Sequence, residues 1–132
     1  MILETPHIPL RISLAEALKL LEALGVPLLE DPEEQCFRAD TEDFSAAIYT
    51  DGEQIKAVWF NDPLGRESEE GMAQKVELYL QRYGNLGHWE MRNDNGWMRY
   101  WFNEQDHVSM VYGVQMDVIR FNRFDPVPES ST

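Results

Sequence analysis

Residues 108–124, Val108-Ser-Met-Val-Tyr-Gly-Val-Gln-Met-Asp-Val-Ile-Arg-Phe-Asn-Arg-Phe124, decide how this chain folds, because they carry two incompatible periods. Val108, Met110, Tyr112, Val114, Met116 and Val118 share one parity, which by period alone is a single long strand. Gly113 interrupts that run, and beyond it Val118, Phe121 and Phe124 recur every third residue. Asp117 stands near the start of this second segment, Arg120 and Arg123 toward its end and Pro126 after it, the charge order and terminator of a helix. The reading is a strand to Tyr112 and a short closing helix within 114–124.

Upstream, Asp51-Gly52 and Asn95-Gly96 each lie between aromatic-rich runs, and such dipeptides suit the type I′ turn of a hairpin. The first hairpin runs from Phe44 to Thr50 and from Glu53 to Phe60. Phe44, Ala46 and Ile48 alternate with Ile55, Ala57 and Trp59 as its core face, leaving Tyr49, Val58 and Phe60 on the other. In the second hairpin, Met98, Tyr100 and Phe102 take the core parity and Trp97, Arg99 and Trp101 the opposite one. Cys36-Phe-Arg-Ala39 reads as an edge strand.

Each hairpin follows an amphipathic helix. Ser13 and Glu16 form a capping box, Leu14, Leu18, Leu21 and Leu24 mark a buried face, and Gly25 and Pro27 stop the helix. The second helix begins near Ser68 among acidic residues, presents Met72, Val76, Tyr79, Leu80 and Tyr83, and ends at Gly84. The expected fold class is α+β: helix, antiparallel hairpins, helix, antiparallel strands and a short C-terminal helix. Residues 1–125 form a single domain and Pro126-Val-Pro-Glu-Ser-Ser-Thr132 a flexible tail.

Composition narrows the partners. Across 132 residues, Lys+Arg 11 against Asp+Glu 24 gives a formal net charge of -13. Such a surface serves solubility first, and it repels phosphate backbones and anionic lipid, so neither nucleic acid nor membrane is expected as a partner. The single cysteine, Cys36, excludes an intramolecular disulfide and favours the cytoplasm. No apolar run approaches the ~20 residues of a membrane span, and no basic-then-apolar leader opens the sequence.

Residues with catalytic potential are scattered. Glu30-Asp-Pro-Glu-Glu34 and Asp40-Thr-Glu-Asp43 lack the alternating carboxylates and glycine of a calcium loop. His88, Glu90 and His107 lack metal-site spacing, and Gly84-Asn-Leu-Gly87 ends a helix instead of opening one on a phosphate. The expectation is therefore no enzyme, no cofactor and no metal. Trp97, Arg99 and Trp101 are the first candidates for a partner-binding surface, since Trp and Arg are enriched at interfaces, and Tyr49, Val58 and Phe60 are the second. Two tryptophans packed beneath the second helix are the competing reading of the first set.

The order of elements, with Leu24-Gly25-Val26-Pro27 after the first helix, an acidic turn, the hairpin from Phe44 to Phe60, Tyr83-Gly84 and Gly113-Val114, resembles the type III secretion chaperone-like fold, including the bacterial YbjN family. The resemblance spans 13–124. It implies a non-catalytic, cytosolic protein-binding module, chaperone-like or regulatory, that holds an extended segment of a partner and can pair as a homodimer. The short closing helix, with its aromatic residues, departs from that pattern. The alternative is an acidic immunity protein that captures the basic surface of a bacterial toxin.

Overall fold

Both helices begin where their caps place them. Ser13 accepts a hydrogen bond from the Glu16 amide at 3.1 Å and opens α1 (Leu14–Ala23), and Ser68 accepts one from the Gly71 amide at 3.0 Å and opens α2 (Glu69–Tyr83). The computed structural model describes residues 5–124. At the end of α1, Gly25 turns left-handed at φ 73°, its N–H bonding Glu22 while that of Val26 bonds Leu21, a Schellman stop.

The rest of the chain is mostly strand: β1 (Leu29–Asp31), β2 (Cys36–Asp40), β3 (Ser45–Asp51) and β4 (Gln54–Asn61) precede α2, and β5 (Glu90–Asp94), β6 (Met98–Asn103), β7 (Val108–Gly113) and β8 (Val118–Arg123) follow it. All pair antiparallel in one sheet of order β1-β2-β3-β4-β8-β7-β6-β5. Each helix is thus followed by a four-strand meander, and the meanders join where β4 meets β8.

This overturns the expected fold class. The molecule is a sheet-dominated fold carrying two helices, and the closing helix within 114–124 does not exist. Residues 118–123 are instead a central strand, with Ile119 opposite Phe60 and Phe121 opposite Val58 on one side, Tyr112 and Met110 on the other. The threefold spacing of Val118, Phe121 and Phe124 is coincidental to a period of two in which Ile119 and Phe121 are buried and Arg120 and Asn122 half-exposed. Nor is 108–118 one strand. Four residues, 114–117, turn between β7 and β8 and shift the buried parity from even to odd; Asp117 closes that turn at φ 54°, as Gln35 and His107 close the β1–β2 and β6–β7 turns at φ 55°.

Smaller corrections share this kind of cause. Neither Gly dipeptide forms a type I′ turn, because only Gly52 and Gly96 have positive φ where that turn needs two such residues. A bulge opposite Tyr49/Thr50 adds Lys56 to β4, so Val58 and Phe60 join Ala46, Ile48 and Ile55 on the core side. On α1 the buried positions are Ala17 and Leu21, while Leu18 (37%) and Leu24 (59%) are exposed. The strand at Cys36 is one in from the edge, which β1 occupies. The tail at 126–132 lies outside the described residues.

One hydrophobic core unites these parts. It joins Ala17 and Leu21 of α1, Val76, Tyr79 and Leu80 of α2, and one sheet face: Ala46, Ile48, Ile55, Val58, Phe60, Trp101, Val108, Met110, Tyr112, Ile119 and Phe121. Both helices therefore cover the same side. The arm before α1 buries Thr5, Ile8 and Leu10, and α2 ties it down, with the Tyr83 hydroxyl donating to the Ile8 carbonyl at 2.9 Å.

Candidate functional site

The sheet face turned away from the helices carries the residues with alternate parity: Arg38, Ala47, Tyr49, Ala57, Trp59, Arg120, Asn122, Val111, Ser109, Tyr100 and Phe102. Its large side chains are half-exposed and lie against one another. The Trp59 indole N–H donates to the Tyr49 hydroxyl at 3.2 Å, Arg38 lies over the Trp59 ring at 5.3 Å and Arg120 over the Tyr49 ring at 4.7 Å. Toward β5, Arg92 covers Phe102 at 5.0 Å. Ala47, opposite Trp59, and Ala57, opposite Tyr49, are fully buried among these side chains.

Charge on this face opposes that of the whole protein. Arg38 and Arg92 reach carboxylates at its margins, Asp40 at 4.0 Å and Glu104 at 2.6 Å. Arg120, on a central strand, has no carboxylate partner among the described residues and is oriented by Asn122 at 2.9 Å. A guanidinium held over a tyrosine ring, in a chain of net charge -13, has donors that can meet an acceptor group. Cys36 lies at the edge of the same face, where burial, with Asp31 adding to it, pushes its thiol above the ordinary range; it is kept neutral and unreactive.

The residues expected to bind a partner are divided by the fold. Trp97, Arg99 and Trp101 do not line the open face, because on β6 the helix side takes Arg99 and Trp101 and the open side takes Met98, Tyr100 and Phe102, the reverse of the expected parity. Trp101 is 8% exposed beneath α2, whereas Trp97, in the β5–β6 turn, is 61% exposed. Arg99 lies between them on the floor of a cleft of 430 Å³ between α2 and the outer strands. Val58 and Phe60 are core residues, which leaves Tyr49 alone of the second set on the open face. Trp59, Tyr100, Phe102, Arg38 and Arg120 were missed by the sequence reading, although the alternation of Arg120 and Asn122 with Ile119 and Phe121 was available to find the last of them.

The histidines serve local structure. Asp106 accepts from the Asn85 amide at 2.9 Å, the Asn103 side chain at 2.7 Å and His88 at 3.0 Å, and these bonds, the Asn85 amide foremost, hold its carboxyl below the ordinary value. Gly84 is required beside this cluster, since a Cβ there would collide with the Asn103 amide. Among the described residues no group of three or more His, Cys, Asp or Glu side chains converges on a metal position, and no helix is long and apolar enough to cross a membrane. In comparisons with protein-family models, curated proteins and solved structures, nothing matches this chain.

Proposed function

We propose that this protein is a non-catalytic binding module, chaperone-like or regulatory, that holds another protein against the open face of its sheet. The carrying observation is the one-sided cover: both helices share one core, and the opposite face presents Trp59, Tyr49, Tyr100 and Phe102 half-exposed, with guanidinium groups over Trp59, Tyr49 and Phe102. Aromatic side chains give large contact area at little entropic cost, and Trp, Tyr and Arg together are the composition of interface hot spots. A protein fits better than nucleic acid, because the few guanidinium groups here stand within an envelope of 24 acidic residues that repels a phosphate chain. The cytoplasm suits the lone, neutral Cys36.

A photo-crosslinking residue at Val111, in the middle of the open face, tests this reading against the same residue at exposed Glu77 on α2. Adducts to a distinct polypeptide from position 111 and not from 77 support it. Adducts to RNA, or identical adducts from both positions, overturn it.

The immunity-protein reading rests on a different place. A recess of 590 Å³ beside β1 and β2 is lined by Glu30, Asp31, Glu33 and Asp40, with Arg38 among them, and suits a basic surface. Ionic strength separates the two. Capture steered by the acidic recess loses association rate steeply between low and high salt, while docking on the aromatic face keeps most of its affinity.

A further inference from the structure

The cleft between α2 and the β5–β6 edge, on the opposite side of the sheet from the proposed protein-binding face, has walls of Val76, Leu80, Trp89, Met91 and Trp101. Its 430 Å³ falls in the range of small-ligand sites. Arg99 is the one cation in this lining, and its terminal donors are poorly used. Its Nε forms an ion pair with the Asp94 carboxylate at 3.3 Å, while one terminal N–H points at the Met72 thioether at 3.2 Å, a weak acceptor. The Oδ1 of Asp94 accepts the Gly96 amide at 3.0 Å, leaving Oδ2 to face Arg99. Glu77, exposed, is the only carboxylate in the lining.

We propose that this cleft binds a small apolar carboxylate of medium chain length, its hydrocarbon body against Trp101 and Leu80 and its carboxylate on Arg99. The planar fork of a guanidinium donates to two carboxylate oxygens at once, and an entering carboxylate takes the donor now spent on Met72. The methionine has the torsional freedom to move aside. The apolar walls recognise chain and not sequence, so the ligand class is set by one acid group and one hydrocarbon body.

Decanoate and decanol, titrated calorimetrically into the intact chain below their aggregation limits, form the test. Decanoate saturates one site and binds at least about tenfold more tightly than decanol, the worth of one charge-assisted hydrogen bond. Arg99→Gln brings decanoate down to the affinity of decanol and leaves decanol unchanged. In ¹⁵N spectra the indole signals of Trp89 and Trp101 shift with decanoate while that of Trp59, on the opposite face, stays in place. Equal affinity of the two ligands for the wild type, no saturation by about 1 mM, or shifts confined to Trp59 overturns the proposal. If Arg99→Gln does not fold, the wild-type ratio and the position of the indole shifts decide alone. Since crosslinking at Val111 reads the other face, either result stands without the other.

Discussion

The Tyr79 hydroxyl donates to Asp62 at 2.6 Å, fastening the middle of α2 to the chain just beyond β4. Thr5 meets the same hydroxyl at 3.0 Å, Lys75 reaches Asp62 at 3.4 Å, and Arg82 donates to Thr5 at 3.1 Å. Burial, reinforced by the bond to Asp62, drives the Tyr79 phenol far above its ordinary range, so it remains a donor throughout the stable pH range. Burial pulls the Lys75 ammonium down, but its bonds to Glu67 and Asp62 outweigh this and leave it raised and charged.

Tyr79→Phe removes one hydroxyl and leaves a buried carboxylate short of its best donor. The expected loss is about 1–3 kcal/mol. Urea denaturation checks it: the midpoint falls while the slope is unchanged.

Trp97 and Trp101, four residues apart, separate cleanly. Trp101→Ala opens the cleft floor under α2 and costs about 3–5 kcal/mol, whereas Trp97→Ala, exposed in its turn, stays within about 0.5 kcal/mol of wild type. Equal thermal shifts for the two variants would contradict the assignment of Trp101 to the core.

Gly84→Ala forces a methyl group into the Asn103 amide. Asn103 is fully buried and its side chain bonds Asp106 at 2.7 Å, so it has little room to retreat. A loss of about 1–3 kcal/mol is expected, the ordinary cost of overpacking. Chemical shifts of His88 move with it if the Asp106 cluster is displaced.

His7 supplies a pH dependence. Its ring stacks edge-on against Tyr83 at 5.1 Å, and burial, with Arg82 adding repulsion, lowers its pKa from 6.5. The unfolded chain therefore takes up a proton at higher pH than the folded one. The stability tied to neutral His7 is complete above about pH 6.5 and is lost as pH falls from there through the lower folded value. His7→Phe keeps the ring contact without the charge, so its melting temperature declines less than that of wild type between about pH 7 and 5. Parallel declines would refute the assignment.

Local signals were legible where the cause was local. Ser13 and Ser68 announced both helix starts because a cap acts within one turn, and Gly25 announced the stop of α1 because left-handed backbone favours that residue. Face assignment failed where the chain reversed parity: the single extra residue Lys56 at the β4 bulge moved Val58 and Phe60 inward, and the four-residue turn at 114–117 hid the alternation of β8. The parity of β6 had no local marker. Both faces of that strand are rich in large apolar groups, and α2, packed on one of them, decides which is core. The open aromatic face was hidden for the same reason: it exists only once the helices are known to share a side.

The central position of β8 bears on how the chain reaches this state. Val58 and Phe121 are separated by roughly sixty residues, and only their strand pair joins the two meanders, so folding requires a long-range closure. As the polypeptide leaves the ribosome, β4 and β7 carry unpaired backbone edges until residues 118–123 have emerged. These are hydrogen-bonding rims on which a second nascent chain can polymerise. A stop codon ahead of Val118 would therefore split the sheet down its middle, and the shortened product should appear in inclusion bodies.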